Sequence, residues 1–112
     1  MILKDELKDN FLVLRVDGKI DAITSQEFEL HINKLIGEGN HNFVVEMGMC
    51  PFVSSAALRV FIVMAKKLKH LSGELVFAAM CKQVADVFEI SGFSKIFTTF
   101  PTEMDATNYF AK

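Results

Sequence analysis

Asn42-Phe43-Val44-Val45-Glu46-Met47 leads through Met49-Cys50-Pro51-Phe52-Val53 into Ser54-Ser55-Ala56-Ala57-Leu58-Arg59-Val60. The first six residues are apolar almost throughout, as a central strand covered on both faces would be. Ser54-Ser55 then opens a long helix to about His70. Its residues Ala57, Leu58, Phe61, Ile62, Ala65 and Leu68 recur at helical spacing and define a buried stripe. Ser72-Gly73 ends that helix, and Glu74-Leu75-Val76-Phe77-Ala78 reads as the next strand. A strand, a helix and a second strand in succession imply a parallel pair joined by a right-handed crossover.

The flanks extend the same alternation. Residues 2–7 read as a short first strand and Asp9-Asn10 as a turn. Phe11 to Val16 follows as a strand, with Phe11, Val13 and Arg15 on one face and Leu12, Leu14 and Val16 on the other. Asp17-Gly18 ends it. Thr24-Ser25-Gln26-Glu27 has the form of a capping box, in which Thr24 would accept the Glu27 N–H. The helix it opens carries Phe28, Ile32, Leu35 and Ile36, with Gly37 and Gly39 offering a left-handed stop. Lys82 to Ile90 reads as a third helix with Val84, Val87 and Phe88 inward and Gly92 just past its end. Lys95 to Phe100 reads as a fifth strand, and Thr102 opens a last helix carrying Ala106 and Phe110. The order β-β-α-β-α-β-α-β-α predicts one α/β domain over residues 1–112. Its sheet would have about five mostly parallel strands with one antiparallel edge, accompanied by about four helices.

The totals narrow the function. A chain of 112 residues, 51% hydrophobic with eleven Phe, is long and apolar enough to build one core without staples. A net charge of −2 argues against a nucleic-acid binder, which usually carries a basic excess or face. The one basic cluster, Lys66, Lys67, Lys69 and His70, falls at a helix end, where cations meet the dipole favourably; a phosphate or lipid contact is the other reading. Cys50 and Cys81 form no CxxC and have no histidine at ligand spacing, so no metal is expected. They read as free thiols of an intracellular chain, with a disulfide between them left open. No apolar run approaches the roughly 20 residues that span a bilayer, and no signal sequence opens the chain. A soluble cytoplasmic protein without a membrane or nucleic-acid partner is expected.

No catalytic constellation is found. His31, His41 and His70 are scattered, there is no Gly-x-Ser-x-Gly, no phosphate-cradling glycine loop, and no base evident for Ser54 or Ser55. A non-enzyme without cofactor is expected. The serine pair nevertheless stands where a central strand turns into a helix, and the carboxyl ends of parallel strands are where function collects. By itself, such a pair reads first as a plain N-cap.

Val53-Ser54-Ser55-Ala56-Ala57-Leu58-Arg59-Val60 resembles the phosphorylation loop of the STAS family, the anti-sigma-factor antagonists, whose helix often opens Asp-Ser-Ser-Gly-Leu-Gly-Val or Ile-Ser-Ser-Ala-Gly-Leu-Arg-Val. Gly18-Lys19-Ile20-Asp21 resembles that family's Gly-Glu-Leu-Asp. Val44-Val45-Glu46-Met47 resembles its central strand, with Glu46 where Asp or Asn is usual. Gly73-Glu74-Leu75-Val76 resembles its fourth strand, and Val84 to Phe97 the stretch around its Ser-Gly-Leu or Ser-Gly-Phe turn. The ordered set covers about 100 residues.

The resemblance implies a binding domain toggled by phosphorylation. Anchoring on Leu58 and Val60 places the phosphoserine at Ser55; anchoring on the serine pair alone would choose Ser54. Asp21, Ser54, Ala56, Arg59, Val60 and Val63 are the implied partner contacts, with Arg59, Val63, Lys66 and His70 along the helix side away from the buried stripe. The implied partners are an anti-sigma factor with ATP-dependent serine kinase activity and a PP2C-type phosphatase, met by a monomer or weak homodimer of bacterial origin. Two departures stand out: Ala57 replaces the usual Gly, and Ser54 the Asp of the first form. The alternatives are a STAS scaffold or transporter-associated subunit that binds constitutively, and a nucleotide- or lipid-binding module.

Overall fold

The computed structural model describes residues 1–111. Strands β1 (Ile2–Leu7) and β2 (Leu12–Asp17) precede helix α1 (Thr24–Gly37). Strand β3 (Asn42–Met49), helix α2 (Ser55–His70), strand β4 (Glu74–Ala78) and helix α3 (Lys82–Ile90) follow. A 3-10 turn (Phe93–Lys95), strand β5 (Thr99–Phe100) and helix α4 (Glu103–Phe110) complete the chain. The sheet order is β1-β2-β3-β4-β5; β1 pairs antiparallel with β2 and the remaining pairs are parallel. The α/β class, the mixed sheet and the four helices agree with the sequence-based expectation.

Sequential strand order has a geometric consequence. Each β-α-β step moves one place in the same direction, so right-handed crossovers put α1, α2 and α3 on one face of the sheet. The period-2 alternation of β2 sorts its side chains accordingly. Leu12, Leu14 and Val16 enter the large core beneath α1, α2 and α3, with Phe28, Phe61, Phe77 and Phe88 at its centre. Phe11 and Val13 point the other way, joining Val44, Val76, Ala78 and Ala106 beneath α4.

The structure alters two sequence-level expectations. In α2 the fully buried residues are Ala57, Phe61, Met64 and Leu68, while Leu58, Ile62 and Ala65 lie half-buried at the fringe. Met64 was absent from the predicted stripe, although it lies three residues from Phe61 and four from Leu68. The strand expected from Lys95 is only Thr99–Phe100. Phe93 and Phe97 instead sit at helical spacing, joined by the Phe97 N–H to the Phe93 carbonyl at 2.9 Å, and both rings pack on Phe88. Helix α2 ends before Ser72-Gly73 as the sequence reads, with Ser72 in the left-handed region at φ 58°. Gly73 is needed because a Cβ there would overlap the backbone carbonyl of His41, to which Glu74 N–H donates at 3.0 Å.

Candidate functional site

The parallel pairing of β2 and β3 does not stop where the strands end. Gly18 N–H donates to the Met49 carbonyl and Ile20 N–H to that of Phe52, each at 2.9 Å. Ser54 N–H returns the bond to Ile20 at 2.9 Å. Ile20 and Val53 form an isolated parallel bridge, and both are buried. This short ladder lies at the carboxyl end of the sheet and holds the start of α1 beside the start of α2. It brings Asp21 next to Ser54 and Ser55.

Each helix start is capped differently. At α1 the predicted Thr24–Glu27 box does not form. Asp21 is the capping residue: its Oδ1 accepts the N–H groups of Ile23 at 3.0 Å and Thr24 at 2.9 Å, while Thr24 Oγ1 accepts the Asp21 N–H at 2.8 Å. This is a reciprocal cap placed three residues earlier than expected. The Thr24 N–H bond, foremost among these contacts, holds the Asp21 carboxyl below the ordinary aspartate range, and Lys19 adds a weaker pull. At α2, Ser54 has extended backbone (φ −88°, ψ 171°) and its Oγ accepts the Ala57 N–H at 3.2 Å. Ser55 is therefore the first helical residue. Its side chain is exposed and has no hydrogen-bond partner among the described residues. The first turn of α2 contains no acidic residue.

From this point the two helices enclose a shallow groove of about 220 Å3 lined by Ala22, Gln26 and Glu29 of the α1 side and Ala56, Arg59, Val60 and Val63 of α2. Ser25, 2% exposed, forms its floor and donates to the Ala22 carbonyl at 3.0 Å. Ala56 and Val60 are half-buried; Arg59 and Val63 are exposed. Of the residues singled out in the sequence, Ala56, Arg59, Val60 and Val63 line this groove, while Asp21, Ser54 and Ser55 stand at the ladder. Three apolar side chains that the sequence reading passed over lie on or beside the ladder segments: Ile23, Met49 and Phe52, exposed by 73%, 66% and 50%. Ile23 and Phe52 lie outside the strands and helices, and Met49 is the last residue of β3. Phe52 follows Pro51 outside any periodic segment, and only the ladder reveals that its carbonyl is bonded to Ile20.

The opposite end of α2 is chemically distinct. Lys66 and Lys69 border a cavity of about 340 Å3 floored by Leu75 and Phe97 and edged by Ile96. Lys67 Nζ donates to Asn33 Oδ1 at 2.6 Å. No three His, Cys, Asp or Glu side chains among the described residues gather as metal ligands. No helix among them is long and apolar enough to cross a membrane.

The sequence profile of the STAS domain matches residues 3–106. The chain belongs to the STAS family. Among STAS relatives it is similar to BtrV of Bordetella bronchiseptica, a protein assigned as an anti-sigma factor antagonist. The two are 34% identical over 89 residues, covering 80% of this chain and 77% of BtrV. Its fold is also that of solved STAS structures. An anti-sigma factor antagonist from Mycobacterium paratuberculosis superposes with a TM-score of 0.89 at 22% identity, over 99% of this chain and 94% of the other. Unphosphorylated SpoIIAA gives 0.85 at 17% identity, over 98% and 96%.

Proposed function

We propose that this STAS domain is an anti-sigma factor antagonist. In this reading residues 1–112 act as one non-catalytic binding module in the cytoplasm. It engages an anti-sigma factor that is also a serine kinase, and phosphorylation at Ser55 switches it off until a PP2C-type phosphatase resets it. The name of the BtrV relative supports the class of function. SpoIIAA, a neighbour in fold, has been solved both unphosphorylated and phosphorylated.

The observation that carries the choice of residue is the division of labour within the serine pair. The Ser54 hydroxyl is committed to the Ala57 N–H, whereas the Ser55 hydroxyl stands free at the first helical position. A phosphate on Ser55 adds about −1.5 to −2 charges. The helix start tolerates it, because the Ser55 and Ala56 N–H groups precede the capped ones and the dipole favours an anion. The fold is then kept while the surface changes sign. With the Asp21 carboxylate held ionised alongside, a partner packed on Ile23, Phe52, Ala56 and Val60 meets a bulky dianion. It loses affinity by desolvation and like-charge repulsion.

The test is incubation with ATP and an anti-sigma factor kinase that modifies a control antagonist, followed by intact mass and peptide mapping. One phosphate on Ser55, retained in Ser54→Ala and absent in Ser55→Ala, is the expected result. A phosphate on Ser54 would move the switch by one residue. None at all would leave a domain that binds constitutively.

A further inference from the structure

We propose that Cys50 and Cys81 are a redox modification site: a peroxide-driven, reversible disulfide that clamps the loop feeding α2. Cys50 is the first residue after β3 and Cys81 the residue before α3. Both are free thiols. The Cys81 Sγ lies 3.5 Å from the Cys50 carbonyl oxygen, and the Cys50 Sγ donates to the Phe52 carbonyl at 3.3 Å. Cys50 is 1% exposed. Cys81 is half-buried on the wall of a surface cavity of about 310 Å3, shared with Gly48, Met49, Cys50, Pro51 and Gln83, and it is the more exposed of the two thiols there.

This arrangement orders the chemistry. The cavity admits a small oxidant such as hydrogen peroxide to Cys81 first. The Cys81 thiolate attacks a peroxide oxygen, the O–O bond breaks, hydroxide leaves and is protonated to water, and Cys81 becomes a sulfenic acid. The Cys50 sulfur then attacks the Cys81 sulfur. The S–S bond forms, the S–O bond breaks, and the departing hydroxide takes the Cys50 proton as a second water. Two thiols lose two electrons and two protons, and one peroxide becomes two waters. Burial raises the Cys50 thiol above the usual cysteine range, which keeps it protonated until its proton is taken in the resolving step.

Reaching Cys81 requires the Cys50 sulfur to leave the Phe52 carbonyl. That carbonyl also accepts the Ile20 N–H at 2.9 Å, so the movement is passed into the ladder that sets Asp21 beside Ser54 and Ser55. Bond formation needs no partner protein; its effect on modification rests on Ser55 being the switch.

The full chain is treated with hydrogen peroxide, its remaining thiols are alkylated, and intact mass and non-reducing peptide maps are read. The expected product has lost about 2 Da, carries no alkyl group, and reverts with dithiothreitol. It is absent in Cys81→Ser and, independently, in Cys50→Ala. Amide exchange over residues 50–58 is expected to slow by about threefold or more in the oxidised chain. Two alkylated thiols after peroxide, over-oxidation without a bridge, disulfides only between chains, or unchanged exchange would each overturn the clamp. Ser55 phosphorylation is expected to fall by about threefold or more on oxidation, and equal rates would refute the regulatory consequence. If the reduced chain itself takes no phosphate, the switch reading fails, while mass and exchange still decide the clamp.

Discussion

The Ser54 hydroxyl accepts the Ala57 N–H while Ser55 faces solvent, so substitutions at adjacent positions are expected to separate stability from modification. Ser54→Ala removes an N-cap and should lower unfolding free energy by about 1 kcal/mol in urea titrations. Ser55→Ala should stay within about 0.5 kcal/mol of the parent, and Ser55→Asp should weaken partner binding by titration calorimetry. Asp21 adds a pH dependence. Its folded carboxyl is depressed by the Thr24 N–H, so its contribution is complete above the unfolded aspartate range and fades as pH falls through the lower folded value. Asp21→Asn should flatten the acid limb of a stability-against-pH curve; an unchanged limb would count against the cap. The serine pair was legible in the sequence because its position between a buried strand and a long helix is a local fact. The cap of α1 was not. Asp21-x-x-Thr24 and Thr24-x-x-Glu27 both satisfy a capping pattern, and only the bond from Ser54 N–H to the Ile20 carbonyl, made across the sheet, decides where the helix begins.

Arg15 shows how one side chain joins three elements. From the α4 face of β2 it grips Glu103 through Nε at 2.9 Å and Nη2 at 2.6 Å, and reaches Glu6 of β1 at 2.8 Å. Both carboxylates hold its guanidinium above the usual arginine range, with Glu103 first. The pair is about one-third exposed, so Glu103→Gln should cost no more than about 1 kcal/mol and less at high salt, read by denaturation in low and high sodium chloride. Gly73→Ala should be worse, at about 2 kcal/mol or more in the same assay, because the added Cβ meets the rigid His41 carbonyl. Element order and the bounds of β4 and α3 were readable because periodicity and turn residues mark them plainly. The span from Lys95 to Phe100 was misread for a physical reason. Its Ile, Phe and Thr are strand-favouring residue types, but Phe93, Ile96 and Phe97 recur at helical spacing, and the ring cluster around Phe88 selects the turn.

At the scale of the molecule, stability is concentrated on one side of the sheet. Phe61 packs against Phe28, Phe77 and Phe88 at centroid distances of 5.4, 4.9 and 6.2 Å, joining α1, α2, α3 and β4 through one ring. Phe61→Ala should lose about 3–5 kcal/mol by thermal or urea unfolding, a large share of what a domain this size possesses. The second face, closed by α4, has Phe11 stacked on Phe110 at 5.5 Å, with Tyr109 beside Phe100 and Phe110 at 5.3 and 5.2 Å. The strand order β1-β2-β3-β4-β5 reaches beyond the finished fold. A chain leaving the ribosome meets no strand that must be inserted between two already paired. Each arrival adds to the one open edge, so assembly can keep pace with synthesis. The helix bearing Ser55 is then seated before the last strand has been made.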